Sequence, residues 1–511
     1  MNLKPNIYMA VYEINDKKGG MTTAMLNRSK MFYDSGYEAD IVTFDFNPDY
    51  DSVRTKLIKS KKMDERTNIL NLHEDLKNEN TKRKSINKKI YNQNVPLKEA
   101  NKQEAVDSNN PSIVRYFSNG IYEKYKKYDK KGNLKVIDFF NETRQRTKRI
   151  KFNSNKSVQI IFTYDPIHNK VNSERYYTND GYCYLVKWYS SNSENPISIF
   201  LFDRETKTTY QFKNNNELAT HWLTILCRKR VNKQKPILIC DGPGSLPKIL
   251  NVSNEVAKRI SFIHINHYNP PYTLGSTIKE NHRFIFERID QLEALVILTH
   301  KQREDVEAEF GKHHNIFVLP NSQPINNLSV YKKDQNKVSM FTRLHFQKGI
   351  DRAIKMFKLV VEKNPDAKLE IYGSGSEEES LNTLIKEYSL ENNVKLMGYS
   401  KDVRKEMAQS CLTILTSRYE AFGLSITESL EAATPVVSFD CNYGPSDVIK
   451  DSKTGFLIPD GDIKMMAEKV LFLLNNPDIA VEMGKNGRKD MIEAFSDEII
   501  LQKWENLIAS I

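Results

Sequence analysis

The chain has 511 residues, of which 39% are hydrophobic and 10% aromatic, and it carries a formal charge of +11. That length suits roughly two to four domains, the composition excludes a disordered chain, and the excess of Lys and Arg points to an anionic partner: a phosphate-rich polymer, a nucleic acid or a membrane face. The five cysteines, Cys183, Cys227, Cys240, Cys411 and Cys441, lie far apart without a CxxC pair, which argues against a zinc site or a disulfide framework.

Residues 6–62 read as a Rossmann-like start. The apolar run Ile7–Tyr12 follows Met1–Pro5 with no signal-peptide pattern. A Gly19-Gly20 loop comes next, then a helical pattern through Met25, Leu26, Met31 and Phe32, then the strand Ala39–Phe44. Strand, loop, helix, strand is the βαβ rhythm. Residues 63–110 are polar and rich in Lys, Asn and Glu, with helices possible near 64–77, and read as a mobile or helical connector. From 111 to 212 β-formers alternate with polar residues, as in Ile121–Tyr125, Val158–Tyr164, Tyr182–Trp188 and Ile197–Phe202. Turn signals at Asp129–Gly132, Asp165-Pro166 and Asn179–Gly181 make this an antiparallel β-meander. It is an insertion, because α/β rhythm resumes over 213–325, making 1–62 and 213–325 one discontinuous domain. Within the insertion, residues 121–151 hold eleven Lys/Arg against four Asp/Glu, a net of +7. A solvated strand face explains this as well as an acceptor track or a charged oligomer surface does.

A second α/β unit spans 326–490, with strands expected at Val338–Phe341, Lys368–Tyr372, Val394–Met397, Leu412–Leu415 and Pro435–Phe439. Residues 491–511 read as a terminal helix. No stretch approaches the roughly 18–20 apolar residues that span a bilayer. A cytoplasmic protein is expected, one whose basic face can still rest on the inner surface of an anionic membrane.

Five stretches carry candidate chemistry. In Lys17–Thr22, Gly19 and Gly20 lie between strand and helix, where backbone N–H groups can approach an anion. In Phe341–Gly349, Arg343 and Lys348 lie in the loop after the first strand of the second unit, where α/β proteins bind ligands; two cations suit a departing diphosphate, and a plain pair of surface cations is the alternative. In Glu420–Glu428, Glu420 is expected in a loop and Glu428 in the first turns of a helix starting near Leu424, so the pair can take sugar hydroxyls and a ribose diol while the helix start faces phosphate, although ordinary helix-start acids have the same spacing. His264, in Phe262–His267, ends a strand of the first unit and is expected to face the cleft between units, where it can bind substrate or act in catalysis, although a lone histidine is more often structural. The glycines of Ile371–Ser376 permit close backbone approach, although a plain turn explains them too. Asp49-x-Asp51 and Asp460-x-Asp462 have the spacing of a metal-binding pair but sit in turn-like contexts, and no metal is expected.

Taken in order, Thr342-Arg343-Leu344…Lys348-Gly349, Tyr372-Gly-Ser-Gly375, Glu420-x7-Glu428 and Gly455-Phe-Leu457 resemble the retaining GT-B glycosyltransferases. The stretches Asn15–Lys30 and Ala39–Asp45, with the β-rich insertion, are similar to the wall teichoic acid α-glycosyltransferases (TarM/TagE-like), over the whole chain. The resemblance implies two Rossmann-like domains facing a cleft and an inserted β-domain that acts as an oligomerisation hub, commonly a trimer. It implies transfer of glucose or N-acetylglucosamine from a UDP-sugar to an anionic polyol-phosphate polymer, of glycerol- or ribitol-phosphate. It implies that Arg343 and Lys348 bind the diphosphate, Glu420 the sugar, Glu428 the ribose, and the backbone around Gly398 and Tyr399 the uracil. Gly20, Gly373, Gly423, Leu424 and Ser425 complete the donor site. His264, with Arg343, Lys348 and Glu420, is the expected catalytic set. Gly19, Gly20, Asn266 and His267 are the expected acceptor side. No cofactor or metal is implied.

Other readings keep the fold and change the acceptor to a protein serine or a lipid-linked glycan, or make the chain a non-catalytic partner of another transferase. The intact Arg343, Lys348, Glu420 and Glu428 argue against the last. Tyr122, Tyr125 and Tyr128 in the basic segment can stack bases, but alternating aromatics in a meander are more often core, and no nucleic acid is expected.

Overall fold

The structure is a computed structural model and describes residues 4–15, 19–81, 103–153, 156–229, 234–327 and 331–511. Three sheets organise the described residues. The first is parallel, in the order Ile316–Val318, Ala294–Ile297, Lys258–Ile263, Ile237–Cys240, Ile7–Ala10, Ala39–Thr43, Ile69–Asn71. Its central strands are buried throughout, as strands covered on both faces must be. The third sheet is also parallel: Val394–Gly398, Lys368–Tyr372, Asp334–Phe341, Ser410–Leu415, Val436–Phe439, Gly455–Ile458. Its helices carry the stripe that sequence periodicity predicts. Helix Ile350–Lys363 buries Ile350, Ala353, Ile354, Met356, Phe357 and Val360, mostly spaced three and four apart.

Inserted in the chain between the third and fourth strands of the first unit lies a ten-stranded antiparallel meander running in sequence order from Gln103–Val106 to Thr209–Phe212. Its last strands dock on the first α/β unit. Tyr184, Leu185, Ile199 and Leu201 share a core with Trp222 and Tyr8, and the Tyr184 hydroxyl donates to the His73 carbonyl. The middle strands hold a separate cluster of Leu134, Ile137, Ile150, Phe152 and Ile161.

Two expectations are corrected here. The stretch 63–110 is more than a connector: Ile69–Asn71 adds a strand to the first sheet, Asn71 caps helix Leu72–Glu79, and Gln103–Val106 opens the meander. Residues 82–102 lie outside the described residues. The stretch 491–511 is not one terminal helix. Ser496, with extended ψ, divides helix Pro477–Phe495 from helix Asp497–Ser510. The latter packs on the first unit, where Trp504 meets Phe32 at 5.6 Å and Phe262 at 5.8 Å.

The basic segment keeps a solvated face, with Lys127, Lys130, Lys131 and Arg144 exposed, and several of its cations also lie on neighbouring rings. Lys124 and Lys148 lie over Phe139, Lys126 over Tyr116, Arg144 over Tyr122 and Lys151 over Phe162, at 4.7–5.6 Å from the ring centres. Asp138, fully buried, takes a two-pronged pair from Arg149. Ring faces and one carboxylate hold these cations in place.

Candidate active site in the cleft

Parallel sheets bring their functional loops to the carboxyl ends of the strands. In this chain those ends face each other. The loop after Lys258–Ile263 meets the loops that follow Ser410–Leu415 and Val436–Phe439, as the donation from Asn266 Nδ2 to the Asn442 carbonyl (3.0 Å) records.

The second unit supplies the densest chemistry. Strand Asp334–Phe341 runs into the turn Phe346–Lys348, closed by Gly349 in left-handed conformation (φ 59°). A Cβ on Gly349 would lie 2.1 Å from the Thr416 carbonyl oxygen, so only glycine lets these two loops touch. The Thr416 hydroxyl donates to the Gly349 carbonyl, and Gln347 Nε2 to the Tyr419 carbonyl. Zipped in this way, Lys348 Nζ donates to Glu420 Oε1 at 2.5 Å. The Ser417 hydroxyl donates to the same oxygen at 2.6 Å. Both donors fall on Oε1, which leaves Oε2 to accept from something else. Glu420 is 7% exposed, so its charge is kept in a poorly solvated place by that pairing.

Arg343 is exposed, beside the Tyr419 ring, and among the described residues it has no acidic partner. Its loop is shaped by Gly373 and Gly375, whose added Cβ atoms would meet the carbonyl oxygens of Thr342 at 1.7 Å and Leu344 at 2.1 Å. The glycine at 373 is therefore required by a chain crossing. Helix Leu424–Glu431 begins at Gly423 (φ 82°) with no side-chain cap, so its first N–H groups, at Leu424 and Ser425, are available to an anion. Glu428 follows one turn on, and burial pushes its carboxyl up to about 7. Gly398 (φ 70°) ends the edge strand with open space over its Cα. Tyr399 is 74% exposed, with Lys62 of the first unit 5.9 Å from its ring centre.

On the first unit, Gly20 (φ 53°) starts helix Met21–Asp34 without a side-chain cap, and both Gly19 and Gly20 are exposed with open space around them. Lys17 and Lys18 lie outside the described residues. His264 Nε2 lies 2.6 Å from Asp241 Oδ1. Arg28 pairs with the same carboxylate and lies over Phe262 and Trp504. Burial alone would raise Asp241, but Arg28 and His264 outweigh it and hold the carboxyl below its ordinary range. Burial also lowers His264 more than Asp241 raises it, so the imidazole is neutral at pH 7. A carboxylate only accepts, so Nε2 carries the proton and Nδ1 is the acceptor.

Asn266 and His267, expected on the acceptor side, are both fully buried. Asn266 donates to Asn442 and Tyr272 carbonyls. The His267 ring stacks at 10° on Tyr443, and burial drives it down to about 3. They serve the junction between the units, and the acceptor assignment is withdrawn for both. Of the acid pairs, Asp460 binds Arg352 and Asp462 caps helix Ile463–Asn475. Asp49 precedes helix Tyr50–Lys59.

Sequence reasoning missed Asp241, Arg28, Ser417 and Tyr443. Asp241 left one signal, an acid at the end of an all-apolar strand. Arg28 left another, a cation on the apolar face of its helix, between Met25 and Phe32.

Comparison with known proteins agrees with this geometry. Residues 324–490 match the family glycosyl transferases group 1, and residues 8–200 match glycosyl transferase 1 domain A. The chain is 36% identical, over 99% of both chains, to the poly(ribitol-phosphate) alpha-N-acetylglucosaminyltransferase of Staphylococcus aureus. It is 27% identical to the poly(glycerol-phosphate) alpha-glucosyltransferase of Bacillus subtilis, over 95% of this chain and 72% of that one. A solved structure of a mutant S. aureus TarM, in complex with fondaparinux, alpha-GlcNAc-glycerol and UDP, superposes with a TM-score of 0.87 over 99% of both chains at 36% identity. The two Rossmann-like units with their inserted antiparallel sheet are the GT-B fold of that structure.

Proposed function

Since the chain belongs to the wall teichoic acid α-glycosyltransferases of glycosyl transferase group 1, we propose that it moves N-acetylglucosamine from UDP-N-acetylglucosamine to hydroxyls of a poly(ribitol-phosphate) chain, keeping the α configuration. Full-length likeness to the S. aureus enzyme supports this pairing over glucose and poly(glycerol-phosphate), the pair of the more distant B. subtilis relative.

One observation carries the proposal: the Lys348–Glu420 pair beside an uncapped helix start. In this reading Arg343, Lys348 and the amides of Gly423, Leu424 and Ser425 take the diphosphate. Glu420 Oε2 accepts from a sugar hydroxyl, Glu428 from the ribose, and the backbone at Gly398 and Tyr399 meets the base. Gly373 shapes the loop beneath. On the opposite wall Gly19 and Gly20 border the acceptor, and His264 Nδ1 accepts from a hydroxyl near the reacting carbon. The bond from the anomeric carbon to the phosphate oxygen breaks. The acceptor oxygen bonds to that carbon on the same face, and its proton passes to the departing phosphate oxygen. Charge grows on the diphosphate as it leaves, and Lys348, Arg343 and the helix start offset it. Glu420 thus orients the donor and forms no covalent bond, and no metal or cofactor takes part.

The same reading puts the protein in the cytoplasm at the inner membrane face, as a trimer built through the ten-stranded sheet, whose fixed cations suit a polyanion. The test is the linkage in the product. Proton NMR of polymer treated with enzyme and UDP-N-acetylglucosamine is expected to show an α-anomeric signal. A β signal overturns the retaining step, and unmodified ribitol polymer overturns the acceptor.

A further inference from the structure

Tyr443 belongs by sequence to the second unit, yet its side chain is fully buried in the core of the first, among Tyr268, Phe286 and Val306. Its hydroxyl donates to Asp305 Oδ2 at 2.5 Å, on helix His300–Phe310 of the first unit. Its ring faces His267 in a near-parallel stack. The start of the same helix takes a second contact, from the His300 N–H to Asp447 Oδ1.

The backbone beside this plug is bonded to the candidate catalytic carboxylate's own backbone. The Glu420 N–H donates to the Asn442 carbonyl at 3.0 Å, and the Tyr443 N–H donates to the Glu420 carbonyl at 2.9 Å. Gly444 (φ 109°) lies so close that an added Cβ would stand 2.2 Å from the Phe422 carbonyl oxygen, which keeps the two chain segments in direct contact. The Asn442 carbonyl also receives Asn266, two residues beyond His264. One short path therefore runs from Asp305 through Tyr443 to Glu420, and a second from Asn442 to the strand end that holds His264.

We propose that Tyr443 and Asp305 are positioning residues: their hydroxyl–carboxylate contact pins the Glu420 loop of the second unit to the first and so sets where Glu420 stands relative to His264. The proposal rests on the assignment of Glu420 to the donor sugar. Packing alone needs the Tyr443 ring. A hydrogen bond to a carboxylate is directional and strong, and fixes the ring's tip at one place on the opposing helix. Catalytic geometry tolerates errors of about 0.5 Å, so a loosened pin costs turnover more than binding.

The experiment uses full-length Tyr443→Phe, Asp305→Asn and the double variant. Expected are UDP affinity within about twofold of wild type, a kcat lowered on the order of tenfold to a hundredfold, and a KM for the UDP-sugar changed by less than about threefold. The double variant is expected to be no slower than the slower single one. Wild-type kcat in both single variants overturns the proposal, as does a fall that adds fully in the double variant. Hydrogen exchange is read in parallel and needs no turnover. Amides of Glu420–Phe422 are expected to exchange faster in either variant, and unchanged exchange there also overturns it. Should wild-type protein bind UDP yet transfer nothing to any polymer, the functional reading fails, while the exchange result still decides the pin.

Discussion

Glu428 is a half-buried carboxyl with no charged partner among the described residues, and its titration follows from that. Its ordinary value is near 4.5 and burial lifts it to about 7. The folded protein thus holds a proton there that the unfolded chain releases between about pH 4.5 and 7, so this group's contribution to stability falls as pH rises through that window and is flat above it. A ribose diol donates best to the ionised form. Uridine, which carries no titrating phosphate, is expected to bind more tightly as pH rises through about 7, and Glu428→Gln is expected to remove that dependence; calorimetry at several pH values checks it. A pH-independent affinity in the wild type contradicts the ribose assignment. Glu428 was legible in the sequence, as were Arg343, Lys348 and Glu420, because each sits at a fixed offset from a strand end or helix start. Asp241 and Tyr443 were not. What marks them is a partner more than twenty residues away in one case and in the opposite unit in the other, and no local pattern encodes such a meeting.

Elements were legible where burial imposes a period. Most of the expected parallel strands lie close to their observed limits, since strands covered on both faces are continuous apolar runs, as at Pro435–Phe439, observed as Val436–Phe439. Strands Arg146–Phe152 and Lys170–Tyr177 carry charged and polar residues along most of their length and lack that signal. They are held by ladder pairing on both sides and by cations laid on neighbouring rings. The first strands of this sheet pair only with each other, while the last share a core with the first α/β unit. In the proposed trimer, that division leaves the first strands as the assembly surface. Replacing 103–152 by a short Gly/Ser linker, which spares the docked strands, is expected to convert a trimer to a monomer in sedimentation while UDP binding persists. A trimer that survives the deletion contradicts the hub.

At the scale of the molecule, two segments cross from the second unit into the core of the first. Tyr443 enters the first unit from the second, and helix Asp497–Ser510 returns to the first unit after the second is complete. Trp504 closes that return, fully buried against Phe32, Phe262 and the Arg28 guanidinium that holds Asp241. Trp504→Ala is expected to cost about 3–5 kcal/mol, read as a lower denaturation midpoint. An unchanged midpoint contradicts the role given to this helix. The return was hidden in the sequence because an amphipathic terminal helix looks the same whichever unit it covers. Whether the cleft moves a sugar from UDP to a polyol-phosphate chain, with Glu420 orienting the donor, is decided by UDP release. Wild type and Glu420→Gln are each offered UDP-N-acetylglucosamine or UDP-glucose with poly(ribitol-phosphate) or poly(glycerol-phosphate). Polymer-dependent release is expected from the wild type with UDP-N-acetylglucosamine and poly(ribitol-phosphate), and a rate lower on the order of a hundredfold in the variant. No polymer-dependent release from folded wild-type protein in any pairing, or full activity in Glu420→Gln, would contradict it.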